Sequence, residues 1–224
     1  MPAFGGGFTT AYFADPYLRS VHFEGNSAPY GGAVSAYNSG RLDLGTSCLQ
    51  ANSADVDGGG IHAGVAQGNL LVRRTCFENN VAGGVGGAMW VPAGFAEVVN
   101  SSFLGNRASS GGAVATGYGG MVSVANSLFS ANITTSGNGA LFASAGATNT
   151  ALVNHYNAFV GNTGGTYTNT YGNLSLVTLA SPLTSCCPAG GSAAINAGSP
   201  DIHFNDIDGS RNDIGACGGP SIVF

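Results

Sequence analysis

The stretch Val98-Val99-Asn100-Ser101-Ser102-Phe103-Leu104-Gly105-Asn106-Arg107-Ala108-Ser109-Ser110-Gly111-Gly112-Ala113-Val114 decides the fold, because copies of it run before and after it. Its first anchor is an aromatic residue or Leu three positions before an Asn. That anchor recurs as Phe23 with Asn26, Leu49 with Asn52, Phe77 with Asn80, Phe103 with Asn106, Phe129 with Asn132 and Phe159 with Asn162. Successive Asn positions are 26, 28, 26, 26 and 30 residues apart. The second anchor is a glycine pair followed by a small or apolar residue. It is read at Gly31-Gly32-Ala33, Gly59-Gly60-Ile61, Gly86-Gly87-Ala88 and Gly111-Gly112-Ala113, then at the variant Asn138-Gly139-Ala140 and the weak copy Gly164-Gly165-Thr166. Repetition with a period in the twenties predicts a solenoid.

Each repeat carries several Gly together with runs of Val, Ser, Thr and Asn, which are poor material for helix interiors. Short strands joined by tight turns fit instead. In a parallel β-helix one repeat makes one coil, so equivalent residues stack at roughly 4.8 Å and the anchors become ladders. The spacing predicts an all-β, single-domain parallel β-helix with three short strands per coil and about seven coils, and one continuous column of Phe23, Leu49, Phe77, Phe103, Phe129 and Phe159.

Seven residues before the anchor stand Leu42, Leu70, Val122 and Leu152, and five before it stand Leu44, Val72, Val98 and Val124. Those two positions share one strand face. Their odd separation from the inward aromatic requires a bend at the residue three before the anchor (Thr46, Arg74, Asn100, Asn126), where stacked Asn is suited to left-handed backbone. Glycine pairs supply the other corner.

Phe-Glu-Gly-Asn, Phe-Glu-Asn-Asn, Phe-Leu-Gly-Asn, Phe-Ser-Ala-Asn and Phe-Val-Gly-Asn, paired with Gly-Gly-Ala-apolar, resemble the polymorphic outer-membrane-protein repeat over about residues 20 to 166. The resemblance implies a right-handed β-helix of the pectin-lyase-like superfamily. It does not imply one activity, since that superfamily includes adhesins, autotransporter passengers, polysaccharide lyases, hydrolases and epimerases.

The 224 residues are 44% hydrophobic and only 8% charged, with no Lys, 38 Gly and 20 Asn. Solubility must come from amides and hydroxyls. A net charge of -5, with no basic cluster beyond Arg73-Arg74, leaves no electrostatic footprint for nucleic acid or an anionic membrane. No apolar run is long enough to insert in a membrane. Between Ala108 and Pro200 there is no Asp, Glu, Lys or Arg, so carboxylate or guanidinium chemistry belongs to the first hundred residues or to the C-terminal part. Residues 1–19 read as an incomplete first coil or a cap, 20–173 as repeats, and 174–224 as a last coil, with a strand at Leu174 to Val177, followed by a closing segment. Gly5-Gly6-Gly7-Phe8 reads as a second anchor 25 residues before the Gly31-Gly32 pair with no first anchor ahead of it. The expectation is a segment of a longer exported protein, extracellular or held at the cell surface and outer membrane, although Met1-Pro2-Ala3-Phe4 does not itself read as a signal peptide.

Cys48 and Cys76 each precede an anchor, which places them on adjacent coils within disulfide range, bridged or unbridged. Cys186, Cys187 and Cys217 allow one further pair. An odd count leaves at least one thiol free.

Asp43 and Glu97 stand six before their anchors and Arg73 four before its own, so the three are expected to point outward on neighbouring strands, with Arg74 close by. Asp55 and Asp57, read as a turn, and His62 lie within one or two coils and complete a candidate binding patch. The resemblance gives such a patch a possible meaning, because polysaccharide lyases of that superfamily use acidic residues to hold Ca²⁺ or neutralise a uronate and Arg or Lys as base. The same charges also keep a sheet soluble and in register. Hydrolysis needs two facing carboxyl groups, and Asp43 and Glu97 are two coils apart. Asp206, Asp208 and Asp213 around Gly209 and Arg211 offer oxygen ligands for Ca²⁺, against a turn in which Arg211 pairs with one or two of them. No other cofactor is implied. His22, His62, His155 and His203 share no ladder position. Trp90, Tyr118, Phe142 and Tyr167 form either an aromatic strip or core.

Two functions remain from sequence. One is a non-catalytic, adhesin-like or passenger-like β-helix that contacts a polysaccharide or host-surface ligand. The other is a polysaccharide lyase or related carbohydrate-active enzyme.

Overall fold

The computed structural model describes residues 5–11, 14–37, 40–117, 119–143, 151–165, 167–168, 171–174, 177–181, 183 and 185–220. Over these the chain is a parallel β-solenoid of three sheets, and the helical element among the described residues is one short 3-10 turn, Ile202–Phe204. The seven-stranded sheet follows the first anchor: His22–Glu24, Cys48–Gln50, Cys76–Glu78, Ser102–Leu104, Leu128–Ser130, Ala158–Val160 and Val177–Thr178 lie side by side in chain order. The five-stranded sheet holds Ser27–Tyr30, Ser53–Asp57, Val81–Ala82, Arg107–Ser110 and Ile133–Asn138. The twelve-stranded sheet carries two columns of strands, fused where Ile61–Arg73 and Met89–Val99 run unbroken through both.

The solenoid has about five turns, not seven. Among the described residues, the upper levels Ala158–Val160 and Val177–Thr178 add strands to the seven-stranded sheet with no partner in the five-stranded one. The strand expected at Leu174 to Val177 is instead two, Tyr171–Leu174 and Val177–Thr178, with 175–176 outside the described residues.

The aromatic column forms as expected: Phe23, Leu49, Phe77, Phe103, Phe129 and Phe159 are register partners in succession. Ring centroids are 4.8, 4.7 and 4.9 Å apart from Phe77 to Phe159, because strand spacing sets the stacking distance. Leu42, Leu44, Leu70, Val72, Val98, Val122 and Val124 complete the same core.

Beside that column the anchor Asn side chains form a ladder that explains their spacing. Asn80 Oδ1 accepts from both the backbone N and Nδ2 of Asn52, at 3.1 and 2.9 Å. Its own Nδ2 donates to Leu49 O and to Asn106 Oδ1, at 2.8 and 3.0 Å. Asn106 and Asn132 repeat the scheme. Every donor and acceptor of a fully buried amide is thereby satisfied, which is what permits its burial.

The bend is where the spacing put it. Ser20, Thr46, Arg74, Asn100, Asn126 and Tyr156, each three before its anchor, all have φ between 48° and 51°. The glycine corner is a matter of space: a Cβ on Gly87 would lie 2.1 Å from Gly112 O. Two triplets shift by one position from the sequence reading. Val34 pairs with Ile61 and with Phe8, so Gly58-Gly59-Gly60 and Gly5-Gly6-Gly7 match Gly31-Gly32-Ala33, and the first spacing is 26 residues. A run of three glycines permits either frame, and the large apolar residue after it chooses.

The C-terminal segment does not repeat. It runs along the outer face of the seven-stranded sheet, where Leu179, Ala194 and Ile214 pack on the outward Leu104, Leu128, Ala158 and Val160. Ser102 Oγ donates to Cys186 O and accepts from Ala216 N, at 2.6 and 2.9 Å. Asn100 Nδ2 donates to Asn212 Oδ1 at 2.7 Å, and Asn126 Oδ1 accepts from Ser199 N at 2.8 Å. Two disulfides, Cys76–Cys186 and Cys187–Cys217, fix this segment and leave Cys48 free. Cys48 and Cys76 are register partners as expected. They are not bridged, because the segment brings Cys186 to Cys76, and the C-terminal cysteines make two pairs rather than one.

Candidate functional site

Arg73 ends the strand Ile61–Arg73, and Arg74 follows at the bend with φ 49°. On the next coil Arg73 pairs with Val99 and Leu71 with Glu97, while Leu71 also pairs with Asp43. Asp43, Arg73 and Glu97 therefore lie on neighbouring strands as their spacing implied, with Arg73 two residues along its strand from the row that holds the carboxylates. Asp43 is 2% exposed, and its Oδ2 accepts from Arg41 Nη2 at 3.0 Å. Leu71 separates it from Glu97, so the two carboxyl groups do not face each other as a hydrolytic pair does.

Arg73, Arg74 and Glu97 instead line one cleft of about 180 Å³, whose far wall is the C-terminal His203, Phe204 and Pro220. Arg74 Nη1 donates to Gly219 O at 3.3 Å, while its Nε is buried without a partner. The ion pairs among the described residues are Arg41–Asp43 and His203–Asp201, so the two guanidinium groups of the cleft and Glu97 lie outside both. Asp201 fixes that wall: its Oδ1 accepts from His203 N at 3.0 Å and meets the ring Nδ1 at 2.7 Å. Those contacts, the backbone N–H first, hold its carboxyl below the ordinary carboxylate range. With two guanidiniums against one carboxylate, the cleft favours a small anionic group held by Arg. Its volume falls below the roughly 300 to 1,000 Å³ of pockets that enclose a whole ligand.

The second candidate group is dispersed. Asp55 and Asp57 lie on the strand Ser53–Asp57, not in a turn. Asp55 is exposed, whereas Asp57 is half-buried and its Oδ1 accepts from Val85 N at 2.9 Å. Burial pushes the Asp57 carboxyl up, and the Val85 N–H partly offsets it. His62 is 9% exposed and meets the edge of Tyr30 at 5.3 Å, with Nδ1 buried and unpartnered. Burial brings its pKa down to about 4, so at neutral pH it is an uncharged imidazole.

The C-terminal carboxylates are engaged with backbone. Asp206 accepts from Gly219 N and Asp213 N, at 2.5 and 3.1 Å. Asp213 Oδ1 accepts from Asn196 N at 2.7 Å, and Asp208 Oδ1 from Ser210 N at 2.9 Å. Arg211 pairs with none of them: its Nε and Nη2 both donate to Gly198 O, at 2.9 and 2.6 Å. Burial pushes the Asp206 carboxyl up, with nearby Asp213 adding to it. Among the described residues, the group of potential metal ligands lying within 4.8 Å of one another is Cys76, Glu78 and Cys186, two of which share a disulfide. The aromatic strip is not built either. Trp90 and Phe142 are in one row but separated by Ala115, Tyr167 belongs to the adjacent row, and Tyr118 lies outside the described residues.

Sequence reasoning found Arg73, Arg74 and Glu97 but missed His203, Phe204 and Pro220. No periodic signal links residues so far apart. Comparison with protein-family models, with curated proteins and with solved structures gives no significant match to this chain.

Proposed function

We propose that this chain is a non-catalytic β-helix of an exported or cell-surface protein, adhesin-like or passenger-like, built on pectin-lyase-like coils with polymorphic outer-membrane-protein repeats. Its ligand contact is weak and lies at Arg73 and Arg74, which take an acidic group of a surface glycan. The observation that carries the exported reading is the pair of disulfides, Cys76–Cys186 and Cys187–Cys217, since such bonds persist in oxidising compartments. A charge-poor surface over a satisfied ladder of buried Asn80, Asn106 and Asn132 amides suits a protease-resistant scaffold. Among the described residues the cleft is lined by one carboxylate, Glu97, and this together with its small volume favours contact over turnover.

The test is incubation with polyuronates and neutral glycans, followed by assay for unsaturated or shortened products and by calorimetric titration. The expected result is no product, with binding no tighter than millimolar that Arg73→Ala abolishes. Cleavage that is lost in Arg73→Ala, with the fold intact by circular dichroism, would replace this reading with a polysaccharide lyase.

A further inference from the structure

The cysteines carry a second inference, independent of the glycan reading. Cys48 and Cys76 occupy paired positions on neighbouring strands, and both point outward because Leu49 and Phe77 beside them point into the core. Parallel neighbours lie about 4.8 Å apart, inside the Cα range a disulfide accepts. Cys48, Cys76, Cys186 and Cys217 all line one open depression of about 520 Å³. A free, half-buried thiol thus stands beside an existing disulfide.

We infer that Cys48, Cys76 and Cys186 form a thiol–disulfide exchange site that unlatches the C-terminal segment from the solenoid. The Cys48 thiolate attacks Cys76 Sγ. The Cys48–Cys76 bond forms, the Cys76–Cys186 bond breaks, and the electron pair leaves on Cys186 as a thiolate, which takes up the proton Cys48 gave to solvent. One disulfide and one thiol enter and one of each leaves, so no external oxidant or reductant is consumed.

The consequence follows from connectivity. Cys187–Cys217 joins two residues of the segment to each other, so among the described residues Cys76–Cys186 is the covalent tie between segment and coils. After exchange, apart from the chain's own continuity, the ties that hold the segment among the described residues are packing and hydrogen bonds such as Asn100–Asn212 and Ser199–Asn126. Beneath it lies the outward apolar row Leu104, Leu128, Ala158 and Val160. Opening would offer that row to a partner or to solvent.

The groups facing Cys48 set the rate. His22 is its register partner on one side, Arg74 lines the same depression, and Glu24 and Glu78 sit on the strands either side. Burial, then Glu78 and Glu24, raise the thiol pKa. Thiolate is therefore scarce at neutral pH, and the latch rests on Cys76–Cys186.

The test uses the full oxidised chain, held without added thiol at neutral pH and at roughly pH 9, above the ordinary thiol range. Acid quenching, alkylation and disulfide mapping then read the isomers. The expected result is a Cys48–Cys76 peptide with alkylated Cys186 that rises severalfold at the higher pH, with hydrogen exchange increased over residues 185–219. Glu24→Gln with Glu78→Gln should bring that isomer to neutral pH, and Cys48→Ser should remove both the isomer and the increased exchange. Cys48 as the one alkylated residue under every condition, or the same opening in Cys48→Ser, would overturn the inference.

Discussion

The outer face of the seven-stranded sheet has two halves that share one backbone and one core. Toward the N-terminus its outward residues are His22, Glu24, Cys48, Gln50 and Glu78, exposed or half-buried. Past Cys76 the equivalent residues are Ser102, Leu104, Leu128, Ser130, Ala158 and Val160, all buried beneath the C-terminal segment. The inward column does not register the change: Phe77, Phe103 and Phe129 are equally buried and equally spaced. The coil is therefore specified from inside, and whether its outside meets water is decided by a segment with no repeat of its own. Cys76, at the boundary, holds that segment in place.

The strongest way to break this comparison is to excavate the shared interior. Phe103→Ala should cost about 3 to 5 kcal/mol in urea unfolding, the range for a large buried aromatic left as a cavity. Phe77→Ala, at the boundary, should cost about the same. A much larger loss at Phe103 would mean that the covering segment and the core act as one unit.

This division also explains what was legible in the sequence. The inward Phe column, the Asn ladder and the left-handed bend all follow from a spacing that repeats, because stacking repeats each physical demand at every coil. The covering segment has no such pattern. Its contacts join Ser102 to Cys186 and Asn100 to Asn212, and spacing cannot express separations of 84 and 112 residues. The missed signal was Leu104, Leu128 and Val160, apolar residues at outward positions next to, or two residues before, an inward Phe or an anchor Asn. The site followed the same rule. Arg73, Arg74, Glu97 and the row that holds Asp43 were found from register, whereas the burial of Asp43 was not, because its pairing with Arg41 lies within one strand connection rather than across coils.

Burial of an outward residue without the segment occurs at His62, and pH sharpens the contrast. Its folded pKa of about 4 lies below the ordinary imidazole value of 6.5. Above pH 6.5 the imidazole is neutral in both states and costs nothing; between 6.5 and 4 the unfolded chain binds a proton that the folded chain refuses. Stability is thus lost as pH falls through that window, by about 1.4 kcal/mol per unit and about 3 kcal/mol in all. Urea midpoints at both ends of the window, compared with those of His62→Gln, measure the difference. An equal acid loss in the variant would show that His62 is not its source.

The smallest expected effect compares the two halves at one backbone position. Thr46 and Asn126 both stand at the left-handed bend, with φ of 50° and 51°. Thr46 is exposed in the open half, where a β-branched residue is strained by its Cβ and its side chain makes no hydrogen bond among the described residues. Thr46→Asn should therefore stabilise the protein by about 0.5 to 1 kcal/mol, since Asn tolerates this backbone. Asn126 is buried under the C-terminal segment and accepts from Ser199 N at 2.8 Å. Asn126→Ala should cost about 1 to 2 kcal/mol, because the Ser199 N–H is left buried without its acceptor. Opposite signs at matched dihedral angles, read from paired urea titrations, would show that the cover rather than the coil decides what this position tolerates. If Thr46→Asn also destabilises, the bend is set by packing between coils, and the two halves differ less than their surfaces suggest.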